Sequence, residues 1–253
     1  MEAEKKEIYI IDGKIGQRWL STEDRFGHLT LEELTQDGLP QNSFTIFDCR
    51  LEELCDVLGA FFRQKRPFAL ASVDGIQDEK DLARLCETAV RKKSRAWVLG
   101  GFRVHPVVAS AKEIISGGCL GELTSLSVKS GFERSFGETV MVSDAANWMC
   151  GTQATNGAVG VVPEVVSASH DGRLEITANG TAGELFAEYD FAAGKGAMTT
   201  NVNHHRQTRL FGAADTRRME LNLLAALAPT MTTSLPGLVP LRELAIVIGR
   251  KHG

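Results

Sequence analysis

The sequence predicts an α/β first half, a parallel sheet wound with helices, and an α+β second half with a mostly antiparallel open sheet. Two observations carry this. From Ile8 to Leu99 short apolar runs alternate with segments whose apolar residues recur at helical spacing, the βαβα rhythm of a doubly wound sheet. After about residue 100 that rhythm stops, and strand-like runs separated by turn glycines follow one another, which is the habit of antiparallel sheets.

Taken in order, Ile8-Tyr9-Ile10-Ile11 is an apolar strand that runs into a glycine turn. Leu29 to Thr35 reads as helical, with Thr30 as N-cap and Glu33 three residues on, the spacing of a capping box. No strand is predicted between Leu20 and Phe44. Phe44 to Cys49 is a strand, and Leu51, Leu54, Cys55, Leu58 and Phe62 then recur at helical spacing. Phe68 to Ala71 is a short buried strand, Gln77 to Lys92 a helix, and Ala96 to Leu99 the next strand. Pro106 to Ile115 is a helix stopped by Gly117-Gly118. Strand-like segments follow at Leu123–Ser130, Gly157–Ser169, Arg173–Ala178, Glu184–Phe191 and Gly196–Asn203, with Asp171-Gly172 read as a hairpin turn. A last helix, Thr216 to Leu227, precedes Pro229. The expected organisation is a shortened Rossmann-like domain over residues 1–105 and a sheet domain over residues 106–253.

Composition narrows the function. A net charge of -4 and an isoelectric point near 5.9 argue against a nucleic-acid or anionic-membrane partner. The basic cluster Arg91-Lys92-Lys93 with Arg95 reads as a solvated helix C-terminus. No apolar run reaches the ~18 residues of a membrane span, and the charged start, Met1 to Glu7, lacks a signal-peptide core. Cys49, Cys55, Cys86, Cys119 and Cys150 are odd in number and form no C-x-x-C. They read as buried free thiols of a cytoplasmic protein.

The opening strand and turn have the layout of a dinucleotide-binding fingerprint, G-x-G-x-x-G, but the six residues are Ile11-Asp12-Gly13-Lys14-Ile15-Gly16. A β-branched residue stands where the first glycine makes the tight turn, and Asp12 would place negative charge beside a pyrophosphate. Later segments add to the pattern: Gly101-Phe102-Arg103-Val104-His105-Pro106, the run from Lys112 to Leu123, Asp144 to Gly151 with Trp148, and Leu174 to Leu185. In this order the segments resemble the Gfo/Idh/MocA oxidoreductase family, that is, glucose–fructose oxidoreductase, inositol dehydrogenase and their relatives. The resemblance implies a Rossmann-like half, a sheet half whose open face forms a homodimer, and NAD or NADP as cofactor in active members.

This chain departs from the family pattern at the chemistry. The leading glycine is missing, so Gly13 and Gly16 read as vestiges. The ribose acid, expected about 20 residues after the fingerprint, has no strand to sit on, which implies a deleted strand–helix unit. The family's catalytic lysine position holds Ser72, its proline position holds Val73, and its histidine position aligns with Met141, three residues before Asp144. Hydride transfer needs a bound nicotinamide and a proton donor or acceptor near the substrate oxygen; Ser72 and Met141 supply neither near neutral pH.

The expected function is therefore a non-catalytic, cofactor-free binding protein. Its ligand would be a peptide or partner protein added to an exposed strand edge, for instance a precursor peptide presented in a biosynthetic pathway. The alternative is an active NAD(P)-dependent oxidoreductase or imine reductase. Candidate ligand contacts are Arg103, His105, Lys112, His204 and His205; Arg103 and Lys112 suit an acidic group. Adjacent His204 and His205 would point to opposite faces of a strand, a poor arrangement for one metal ion. No zinc spacing and no serine-nucleophile elbow occurs in the sequence.

Overall fold

The computed structural model describes residues 7–11, 26–37, 43–48, 51–71, 79–99, 101–131, 136–151, 161–167, 172–227, 237–241 and 243–244. The chain divides into two compact units, residues 1–100 with 135–137 and 226–253, and residues 101–134 with 138–225. The predicted 105/106 boundary assigned the C-terminal residues to the sheet half. They instead return to the first unit, for a reason visible in its sheet.

In the first unit, β1 (Ile8–Ile11), β2 (Phe26–Leu29), β3 (Phe44–Phe47), β4 (Phe68–Leu70), β5 (Ala96–Leu99) and β12 (Leu238–Pro240) form one sheet. Its order is β12-β5-β4-β3-β1-β2. All neighbours are parallel except β12, which runs antiparallel to β5. Strands β3, β4 and β5 are buried at every position, as a parallel sheet covered on both faces requires. Helices α1 (Leu31–Asp37), α2 (Leu51–Gln64) and α3 (Glu79–Lys92) belong to this unit. Edge-to-face ring pairs, Phe47–Phe61 at 5.0 Å and Phe62–Phe68 at 5.4 Å, lock α2 onto β3 and β4. β12 belongs here because its Leu238 and Val239 are fully buried and its backbone pairs with β5.

β2 corrects the sequence reading. A strand does lie between Leu20 and Phe44, paired in parallel register with β1 from Ile8↔Phe26 to Ile11↔Leu29. Phe26-Gly27-His28-Leu29 has little intrinsic strand preference; its conformation comes from the partner strand. A complete dinucleotide-binding sheet has the order 3-2-1-4-5-6. Here the described sheet ends at β2, so the strand predicted to be absent is present and pairs with β1. The capping box forms as expected: Glu33 N–H donates to Thr30 Oγ1 at 3.1 Å, and Thr30 N–H to Glu33 Oε2 at 2.7 Å.

The second unit holds β6 (Leu123–Ser130), β7 (Glu164–Ser167), β8 (Arg173–Gly180), β9 (Gly183–Asp190), β10 (Lys195–Val202) and β11 (His205–Gly212). Their order is β11-β10-β9-β8-β6-β7, antiparallel except for β6 with β7. β7 and β8 lie on opposite sides of β6, so Gly172 does not turn a hairpin between them; Asp171 lies outside the described residues. The strand β11 was not foreseen. Gly101–Val104 makes one helical turn, α4, followed by α5 (Pro106–Ser116), α6 (Phe136–Cys150) and α7 (Ala213–Ala226). Val107, Ala111 and Ile115 of α5 and Val142, Ala146 and Met149 of α6 pack on Leu126, Ile176, Leu185 and Ala187 of the sheet. The opposite sheet face carries polar residues with isolated Phe186 and Leu210, 44% and 77% exposed. The uncovered face is thus less apolar than the sequence reading expected.

Among the described residues, no helix is long and apolar enough to cross a membrane. Cys86 and Cys150 are buried free thiols, but Cys119 is exposed, because it lies in the turn after α5. The side chains of Cys49 and Cys55 lie outside the described residues.

Candidate functional site

The α4–α5 junction places three of the predicted site residues in the second unit. Arg103 lies in the single turn of α4, and Pro106 can open α5 because the first helical turn needs no N–H there. Arg103 Nε donates to Asp144 Oδ2 at 2.7 Å and Nη2 to Oδ1 at 2.6 Å. Both residues are buried, so this is a fork-to-carboxylate pair removed from water. Trp148 lies one turn after Asp144 on α6, on the same helix face. The Arg103 guanidinium sits 5.7 Å and the Lys112 ammonium 5.6 Å from its ring centre. Lys112 Nζ also donates to the Met149 carbonyl at 3.3 Å. Burial lowers the Lys112 pKa from its ordinary value, the Cys150 thiol opposes that shift, and the Arg103 charge adds to it. Burial pushes the Cys150 thiol up to about 11, against the pull of Lys112.

His105 lies apart from this group. Its ring packs edge-on against Tyr189 at 4.3 Å and tilted against Phe191 at 5.1 Å. Neither ring nitrogen has a hydrogen-bond partner, and burial lowers its pKa to about 4. It is a neutral imidazole inside an aromatic cluster.

In the first unit, the chain reverses direction across the sheet at β1, which β2 and β3 flank. A ligand of such a sheet binds outside the carboxyl ends of the strands at that point. The half-buried Asp48 stands there, its N–H donating to the Ile11 carbonyl at 3.0 Å. At the end of β2 the residues are Leu29 and Thr30, neither with a carboxylate for a ribose diol, and Glu33 is engaged in the capping box. The end of β2 thus supplies no carboxylate for an NAD ribose diol among the described residues. Gly13, Gly16 and Ser72 lie outside the described residues.

A cavity of ≈ 470 Å³ opens at one end of the second sheet, lined by the hairpin 180–183, by Asn179, Glu184 and Asn201, and by Asn203 and His204. Asn203 and His204 form the two-residue turn between β10 and β11, with φ of 49° and 68°, the left-handed pair such a hairpin requires. His205 begins β11 and does not line the cavity.

Neither family models nor curated proteins match the sequence. Solved structures do match the fold. The super-repressor mutant of Gal80p from Saccharomyces cerevisiae aligns with a TM-score of 0.62 and 10% identity over 98% of this chain and 95% of that one. Aldose-aldose oxidoreductase from Caulobacter crescentus aligns with a TM-score of 0.61 and 12% identity over 98% and 96%. A 3-ketoreductase from Actinomadura kijaniata, crystallised with TDP-benzene and NADP, aligns with a TM-score of 0.65 and 11% identity over 98% and 96%. The chain shares the fold of these proteins, which are themselves of the Gfo/Idh/MocA type.

Within this fold, the structure gathers Arg103 and Lys112 around Trp148 and leaves His105, His204 and His205 elsewhere. Met141, where the resemblance expects a histidine, is buried on α6. Asp144 and Trp148 were visible as motif residues but not as a pair of contacts for Arg103. Asn179 and Glu184 lie in the segment Leu174 to Leu185 and Asn201 in a predicted strand, but only strand register brings the three together.

Proposed function

We propose that this chain is a non-catalytic binding protein on the Gfo/Idh/MocA fold, one that holds no dinucleotide and takes a peptide or protein partner. One observation carries the reading. The carboxylate of Asp144 has both oxygens on Arg103, and one turn earlier the helix presents Met141. The α6 face therefore offers no free proton donor or acceptor at either position, and general acid–base chemistry needs one within hydrogen-bond reach of the substrate. Asp48 at the sheet's switch point and the engaged Glu33 add support. So does the use of this fold by a transcriptional regulator, Gal80p from Kluyveromyces lactis, with a TM-score of 0.66 at 12% identity.

The partner edge is β2. It ends the described sheet where a complete dinucleotide sheet would continue, and an extended peptide can pair there.

Calorimetric titration with NAD(H) and NADP(H) tests the reading. No heat of binding is expected; micromolar affinity for either nucleotide would overturn it in favour of an active oxidoreductase.

A further inference from the structure

We propose that the cavity at the hairpin end of the second sheet binds a primary ammonium group, with Glu184 as counter-charge and Asn179 and Asn201 as its remaining acceptors. Nothing in this inference depends on the loss of nucleotide binding.

The site is built by register. Pairings Ser125↔Asn179, Asn179↔Glu184, Glu184↔Asn201 and Asn201↔Arg206 set five residues in one row across five strands. The next residues inward, Ala178 and Leu185, are core, so the row faces outward. Two hydrogen bonds orient the amides. Asn179 Nδ2 donates to Ser125 Oγ at 2.8 Å, and Asn201 Nδ2 donates to Glu184 Oε1 at 3.3 Å. Each amide thus spends a donor on the protein and keeps its Oδ1 as an acceptor. The row presents acceptors, and it does so around a carboxylate.

The lining decides the ligand class. It contains no Lys or Arg and one carboxylate; Arg206 extends the row but does not line the cavity. An anion would meet repulsion with no cation to offset it. An apolar ligand would find only the methyls of Ala182 and Thr181 and the rim imidazole of His204 to pack on. A divalent cation needs several charged or carbonyl ligands at fixed distance, and no cluster of three His, Cys, Asp or Glu occurs among the described residues. An ammonium has three donors and one positive charge, and Glu184, Asn179 and Asn201 supply three acceptors and one negative charge.

The walls are held in place. A Cβ on Gly180 would collide with the Leu120 carbonyl, and one on Gly183 with the Asn201 carbonyl. The hairpin is thereby pressed against its neighbours on both sides. Two sources share this chemistry, a free small amine and the lysine side chain or N-terminus of a peptide.

Nitrogen-15 NMR of the full chain distinguishes them. The probes are 1,5-diaminopentane, its diacetylated form, acetyl-Ala-Lys-Ala amide, and Ala-Ala-Ala amide with a free N-terminus. The expected result is that a cationic probe moves the signals of residues 179–184 and 201–204 and the diacetylated diamine does not. Glu184→Gln should weaken the effect by about tenfold or more with the rest of the spectrum unchanged, and added salt should weaken it further. A response confined to the two peptides assigns the ammonium to a peptide; a matching diamine response assigns it to free amines as well. The proposal is overturned by no movement of these signals, by equal response to the diacetylated probe, or by full binding in Glu184→Gln.

Discussion

Asp144 and Arg103 show how one buried contact sets what a site can do. The pair is 2.6–2.7 Å apart on both arms and nearly inaccessible. Breaking it strands a charge in a low-dielectric interior, whereas replacing both partners with apolar groups is often neutral. Asp144→Ala should cost about 3–5 kcal/mol in urea unfolding, and Asp144→Leu combined with Arg103→Met should recover most of that loss. A single-variant loss near zero would mean that the pair is not closed in solution. His105 makes a different statement. Its folded pKa of about 4 lies below the ~6.5 of an unfolded chain, so the unfolded state takes up the proton first. Stability from this residue is complete above pH 6.5, falls as pH drops from 6.5 towards 4, and changes no further below that. The loss is on the order of 3 kcal/mol. His105→Leu should flatten this part of the pH–stability curve, measured as the difference between the two proteins.

Elements follow the sequence where their own residues carry the signal, and depart from it where a neighbour does. The capping box of α1 and the apolar spacing of α2, α3 and α5 were legible because helix signals are local. The strands β3 to β6 were legible as apolar or alternating runs. β2 was not, because Phe26-Gly27-His28-Leu29 becomes a strand through β1. β11 was not, because its residues from His205 to Leu210 are all exposed and show no apolar face. The hairpin between β8 and β9 tests how tightly neighbours constrain an element. A methyl on Gly183 would meet the Asn201 carbonyl and come within 2.9 Å of Val202 Cα. Gly183→Ala should therefore destabilise the second unit by about 1–3 kcal/mol, seen as a lower urea midpoint with an unchanged slope. A neutral result would show that β10 yields at little cost.

For the molecule as a whole, the chain crosses between units more than once. Residues 226–253 belong with residues 1–100, and β12 closes the edge of β5 with Leu238 and Val239 fully buried. Deleting residues 237–253 should expose that edge and remove several kcal/mol of apolar burial. Hydrogen exchange should then accelerate in β4 and β5 and stay unchanged in β8, β9 and β10. Equal acceleration in both units would show that they unfold as one. The candidate site follows the same division. Arg103 and Lys112 were singled out from the sequence because they sit in segments of the family-like pattern; the row from Ser125 to Arg206 was not, since its members lie as much as 81 positions apart and meet only through pairing.

The order of residues already decides which segments are helix or core strand and where the α/β rhythm stops. Those are local properties, written in periodicity and residue chemistry. Folding decides the rest: that β2 exists, that Leu238–Pro240 joins the first sheet, that Asp144 is spent on Arg103, and that Asn179, Glu184 and Asn201 line one cavity. Each depends on a contact between residues far apart in the chain, and single-sequence periodicity carries no term for such contacts.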